Sequence, residues 1–157
     1  MKINSSSKIW IYQADRLLTQ KESDQINTTL INFTQNWQAH GTALSSGFEI
    51  RYNLFLILWV DEELAGASGC SIDASVRVIK QIEQEFGIDL FNRFNMAYKE
   101  NEVVKITDKT NFETLLKKQI INSKTIVFNN LVNTYNDLKN NWEIPIANSW
   151  HSKVFTI

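Results

Sequence analysis

Leu54-Phe55-Leu56-Ile57-Leu58-Trp59-Val60, followed after a short polar interval by Ala65-Gly66-Ala67-Ser68-Gly69-Cys70-Ser71-Ile72-Asp73, decides the fold. The first stretch is an unbroken apolar run of seven residues, short for a helix and suited to a strand packed on both faces. Small residues then make a turn. Behind it Ile72, Val76, Ile79, Ile82 and Phe86 recur on one helical stripe, with Gly87 placed as a C-terminal cap. The chain's single cysteine, Cys70, stands at the start of that helix.

Upstream, Ile9-Trp10-Ile11-Tyr12 is β-branched and aromatic and reads as a strand. Thr19-Gln20-Lys21-Glu22 fits a capping box, and Ile26, Leu30, Phe33 and Trp37 follow at helical spacing, predicting a helix that ends near His40-Gly41. Phe48, Ile50 and Tyr52 alternate with Glu49 and Arg51 as in a strand with one wet face, and a turn at Tyr52-Asn53 would join it to the apolar run. Downstream, Phe94, Met96 and Tyr98 alternate as a further strand. Strand, helix, strand, strand, helix, strand is the order of a ferredoxin-like split βαβ sandwich over residues of about 8–100. An α+β fold of this kind lays helices on one sheet face only. The other face needs cover from the rest of the chain or from a partner subunit, which makes a homodimer one reading of the sequence.

The remaining residues read as an integrated α/β extension, so that 1–157 forms a single domain. A strand is expected at Val103 to Ile106. Thr110-Asn111-Phe112-Glu113 would cap a helix with Leu115, Leu116 and Ile120 inward, and Thr125 to Phe128 would form a strand. Thr134 to Asp137 would start a short helix reaching Trp142, and Pro145 should end regular structure. Ser149-Trp150-His151 reads as a packed tail, since a Trp with Val154 and Phe155 nearby is costly to leave in water.

Hydrophobic residues at 43% and a formal charge of -1 describe a soluble globular protein with none of the charge excess of a disordered tail, and the missing Lys/Arg surplus argues against a dedicated nucleic-acid binder. One cysteine cannot form an internal disulfide, and Met1 to Lys8 lacks the apolar segment of a secretory signal; the expectation is a reducing cytoplasm. The longest apolar run falls far short of the roughly 20 residues of a membrane span.

Trp37-Gln38-Ala39-His40-Gly41, Glu49-Ile50-Arg51-Tyr52-Asn53, Gly66-Ala67-Ser68-Gly69-Cys70-Ser71-Ile72-Asp73 and Asn141-Trp142-Glu143 resemble a family of short, uncharacterised bacterial proteins often labelled ABC-transporter ATPases. The resemblance spans nearly the whole chain and implies no particular activity, substrate or cofactor. The label itself fails on the residues. A phosphate loop of the Gly-x-x-x-x-Gly-Lys-Ser/Thr type needs a Lys to neutralise the phosphates, and Gly66 and Gly69 have none beside them. Of the transporter signature Ser-Gly-Gly-Gln only Ser68-Gly69 is present.

Two chemistries fit the 66–73 segment. A helix start presents free N–H groups and partial positive charge, so Ser68, Gly69, Cys70 and Ser71 form a candidate anion site, with Arg51 as its side-chain cation. Its plainer alternative is a tight turn in which Ser71 caps the helix and Asp73 complements the dipole. The split βαβ order would also bring His40 beside Cys70. Thiolate and imidazole, oriented by Asp73 or Asp61, would then be a nucleophilic set for acyl or thioester substrates. Against this, a free cysteine usually only fills space, and a lone His at a helix end usually bonds the last carbonyls. Cys70, His40 and His151 are too dispersed for a zinc site, and no cofactor is implied. Glu49 and Arg51 would pair on one strand face, and the tryptophans belong in the core.

Overall fold

The structure, a computed structural model, describes residues 2–157. The first half forms β1 (Lys8–Gln13), α1 (Gln20–Gln35), β2 (Gln38–Ala39), β3 (Thr42–Ala43), β4 (Ser45–Arg51), β5 (Phe55–Asp61) and α2 (Gly69–Phe86). β5 is buried along its length except at Asp61 and lies between β1 and β4, antiparallel to both. The apolar run is therefore the central strand, and β1-α1-β4 with β5 inserted is the split βαβ unit. Tyr52 and Asn53 turn β4 into β5 with φ of 57° and 49°, and the N–H of Leu54 donates to the Arg51 carbonyl at 3.1 Å. No glycine is needed there, because the Asn53 side chain accepts a hydrogen bond from Ser23 Oγ at 2.9 Å and the Asn53 carbonyl accepts one from Leu18 N–H at 2.7 Å.

Thr19 and Glu22 form the reciprocal capping box of α1, and Arg16 holds the Glu22 carboxylate through two bonds of 2.9 Å. The helix stops at Gln35, short of the expected His40. Two local pulls end it. Trp37 turns inward so that its indole N–H donates to the Ser71 carbonyl at 2.8 Å, and His40-Gly41 takes two consecutive left-handed residues, φ 52° and 76°, that reverse the chain between β2 and β3.

The second half forms β6 (Met96–Glu100), β7 (Val103–Thr107), α3 (Lys109–Lys117), β8 (Ile126–Phe128), α4 (Tyr135–Asn141), β9 (Glu143–Pro145), a 3-10 turn (Ile146–Asn148) and α5 (His151–Val154). These strands build their own antiparallel sheet in the order β7-β6-β8-β9. β6 thus does not flank β1 as the fourth strand of a ferredoxin-like sheet would. The free edge of β1 is taken instead by residues 133–135, where Ile9 N–H donates to the Asn133 carbonyl and Tyr135 N–H to the Ser7 carbonyl, at 3.0 and 2.9 Å. The class is α+β, with three strands in the split order and the fourth in a second sheet.

That second sheet covers the face of β5 that the helices leave open. Phe55 meets Phe128 and Trp142 with ring centres 4.7 and 4.8 Å apart, and Tyr52 Oη donates to Glu143 at 2.8 Å. The face is closed by the chain's own residues, with no partner subunit required for it. A second apolar cluster, including Met96, Phe112, Val127 and Phe155, packs α3 and the chain end onto the outer sheet.

Four expectations for this half shift. Phe94 lies before β6, which begins at Met96, and is not part of the strand. Asp108, not Thr110, caps α3, its side chain accepting the Asn111 N–H at 2.7 Å. Ile120 lies past the end of α3 and is 56% exposed, so it does not point inward. Pro145 closes edge strand β9, where a missing N–H costs nothing, and regular structure continues beyond it. No helix among the described residues is long and apolar enough to cross a membrane.

Candidate functional site

Ser45 pairs with Asp61 across the β4–β5 ladder, so the His40 hairpin and the 62–68 segment leave the same end of the inner sheet. The Trp37 indole bonded to Ser71 ties the two together. His40 and Cys70 are both exposed, and neither lines any of the cavities described here. The start of α2 is closed by its own side chains. Ser71 N–H donates to Ser68 Oγ at 3.2 Å and Ser68 N–H to Ser71 Oγ at 2.7 Å, while Ser71 Oγ donates to the Ser68 carbonyl at 2.8 Å. Glu62 reaches back to accept the Ala67 N–H at 2.9 Å and sets a carboxylate beside the turn. Among the described residues only the Gly69 and Cys70 amides of this first turn lack a protein acceptor.

Asp73 stands exposed one turn further on, outside the first turn where the helix dipole acts most strongly. Asp61 is engaged with its own loop, accepting the Glu63 N–H at 3.0 Å. Arg51 does not belong to this site. It pairs with Phe55 at the opposite end of the ladder from Asp61, about 20 Å away at the rise of a strand, because antiparallel pairing fixes which end each residue occupies. There its guanidinium bonds Glu49 at 2.7 Å, the pairing the alternation predicted, and lies 5.5 Å over the Trp142 ring. No group of three or more His, Cys, Asp or Glu side chains among the described residues is placed to share a metal ion.

A different place has the form of a binding site. Where the end of β1, the start of β6, the 89–95 segment, residues 128–131 and α5 converge, they enclose a cavity of about 490 Å³. Its walls are mainly apolar and aromatic, and Phe91, Phe94, Leu131 and Val154 stand 41%, 46%, 61% and 51% exposed around it. A polar chain runs along its inner side: Trp142 Nε1 donates to Asn130 Oδ1 at 2.9 Å, Asn130 Nδ2 to Gln13 Oε1 at 2.8 Å, and Gln13 Nε2 to the Asn95 carbonyl at 2.7 Å. Asn95 Nδ2 is buried and has no acceptor among the described residues. His151 is 2% exposed, stacked on Trp150 with ring centres 3.9 Å apart, and its Nδ1 lies 2.7 Å from Ser149 Oγ. Burial without a counter-charge lowers its pKa from 6.5 to about 4, so the imidazole is neutral near pH 7. The volume and mixture are those of a small-molecule site: an apolar wall, a few fixed polar groups and two perturbed titratable side chains, His151 and Tyr12, whose phenol burial pushes up.

A larger depression of about 780 Å³ lies between α3 and residues 154–157, but among the described residues no buried polar side chain lines it. Sequence reading missed the inter-sheet cavity because its walls come from segments far apart in the chain. The legible hint was apolar residues in polar surroundings, Phe91 and Phe94 among asparagines and Val154 in the tail. Compared with known proteins, the chain matches no family model, no curated protein and no solved structure.

Proposed function

We propose that this chain is a small-ligand-binding α+β domain and that the inter-sheet cavity is its site. One observation carries the reading: a 490 Å³ space lined by aromatic and aliphatic side chains, with the buried His151 and the inaccessible Asn95 Nδ2 on its wall. Apolar side chains left open around a concave wall are stabilised when a ligand covers them. The start of α2 supports ligand capture less well, since Ser68 and Ser71 already satisfy each other and Glu62 opposes an anion. The single unpaired cysteine fits a reducing compartment, which we take to be the cytoplasm.

Titration with phenylnaphthylamine, a neutral apolar fluorophore, tests the reading. Saturable one-to-one binding to the folded chain, lost in Leu131→Glu with the near-ultraviolet circular dichroism unchanged, is expected. Absence of saturable binding by this probe and by its anionic counterpart would remove the cavity as a site.

A second reading rests on Cys70, which is exposed in the first turn of α2 on a segment leaving the same sheet end as His40. Under it the thiolate is a nucleophile assisted by the imidazole. Iodoacetamide should then alkylate Cys70 well below the free thiol pKa of about 8.5, and His40→Ala should slow the reaction; alkylation at the rate of an ordinary thiol rules it out.

A further inference from the structure

Resting on the ligand-binding reading of the inter-sheet cavity, we infer that its occupant is a hydrophobic acid, a small molecule with an apolar or aromatic body and one anionic group. Among the described residues no Asp or Glu lines the cavity, and Arg93 is the only lining side chain with a permanent charge. Arg93 is exposed and makes no ion pair among the described residues, whereas Arg16 and Arg51 are held by Glu22 and Glu49. A second cation stands close by, with Lys109 Nζ 4.9 Å above the Phe94 ring. The neighbouring carboxylates bond backbone instead of these cations: Asp15 accepts the Asp89 N–H at 3.0 Å, Asp89 accepts the Phe91 and Asn92 N–H groups at 2.9 and 3.1 Å, and neither forms an ion pair with Arg93 or Lys109 among the described residues.

These charges decide among ligand classes. A purely hydrocarbon ligand would cover Phe91, Phe94, Leu131 and Val154 but would leave the exposed Arg93 guanidinium in water and gain nothing from its charge. A cationic ligand would meet Arg93 and Lys109 as like charges. A molecule ending in a carboxylate or similar acid satisfies both requirements, covering the aromatic wall with its body and meeting the guanidinium through charge-assisted hydrogen bonds. The cavity volume limits the body to small-molecule size, since such sites commonly span about 300–1,000 Å³.

Two probes with the same aromatic body separate the acid from the body: anilinonaphthalene sulfonate, which is anionic, and neutral phenylnaphthylamine. The expected result is about tenfold tighter binding of the sulfonate to the folded chain, with Arg93→Gln abolishing that difference and leaving the neutral probe unaffected. Equal binding of both probes, indifferent to Arg93→Gln, overturns selection for an acid and leaves the cavity as an apolar site. Sulfonate binding that survives Leu131→Glu places the probe elsewhere and overturns the inference as well. Saturable binding by neither probe removes the site itself. Unchanged near-ultraviolet circular dichroism in each variant keeps a loosened fold from being read as altered binding.

Discussion

The indole of Trp59 occupies the space that a side chain at Gly47 would need. The two residues face each other across the β4–β5 ladder, and a Cβ built on Gly47 would fall 2.4 Å from Trp59 Cζ2. A glycine within a strand ordinarily weakens it through backbone entropy, but here it allows the large ring to lie flat against the neighbouring strand. Gly47→Ala should therefore destabilise the protein by about 1–3 kcal/mol, as overpacking does, despite alanine's better strand entropy. Chemical denaturation measures it. The same substitution in a Trp59→Leu background should cost less than in the wild type, and an equal cost in both would show that the ring is not the obstacle.

Trp142 packs where the two sheets meet. Its ring is 1% exposed, lies 4.8 Å from Phe55 and 4.9 Å from Phe128, and its indole N–H bonds Asn130. Trp142→Ala removes the aromatic contact and leaves the side-chain Oδ1 of Asn130 without its indole donor. A loss of about 3–5 kcal/mol in unfolding free energy is expected. Because Asn130 also holds Gln13, binding of apolar probes in the inter-sheet cavity should weaken even where the variant remains folded.

These two sites show which parts of the fold were legible in the sequence. The apolar run at residues 54–60 announced a central strand because its burial needs no knowledge of its partners, and the Thr19 and Thr134 caps announced helices because capping is local. The choice of partner for β6 was not local. An alternating strand pairs equally well with β1 or with β7 and β8, and residues 133–135, far away in the chain, decide the matter by taking the edge of β1. The same limit misplaced Arg51. Its side chain was correctly paired with Glu49 two residues away, but its assignment to the start of α2 required the ladder register. His40 is the reverse case: Gly41 marks a local break that the sequence assigns to the helix end, whereas α1 stops at Gln35 and His40-Gly41 reverses a hairpin beyond it.

The turn at Tyr52-Asn53 should tolerate little change at Asn53. That residue holds φ of 49°, a region asparagine enters more easily than most side chains, and it also accepts the Ser23 hydroxyl. Asn53→Ala should lower stability by about 1–2 kcal/mol, from the left-handed cost together with the lost bond. Asn53→Gly relieves only the first, so it should fall between Asn53→Ala and the wild type in a thermal melt. Were glycine as harmful as alanine, the bond to Ser23 would account for the whole effect.

Acid sensitivity should come from two groups in separate pH windows. His151 has its folded pKa lowered from 6.5 to about 4, so between those values the unfolded chain binds a proton that the folded chain refuses. Stability therefore falls as pH drops from about 6.5 to 4, by up to about 3 kcal/mol at one pKa unit per 1.36 kcal/mol. Glu22 has its folded pKa lowered from 4.5 to about 2, chiefly by the Arg16 side-chain hydrogen bonds, so its contribution is present above 4.5 and disappears as pH falls toward 2. Urea midpoints measured from pH 7 to 3 separate the two. His151→Gln should flatten the upper window, and Glu22→Gln, which retains a capping side chain, should flatten only the region below 4.5. A slope between pH 6.5 and 4 that persists in His151→Gln would mean that the imidazole is not held neutral by burial, and that the wall of the cavity is wetter than its packing against Trp150 and Phe112 indicates.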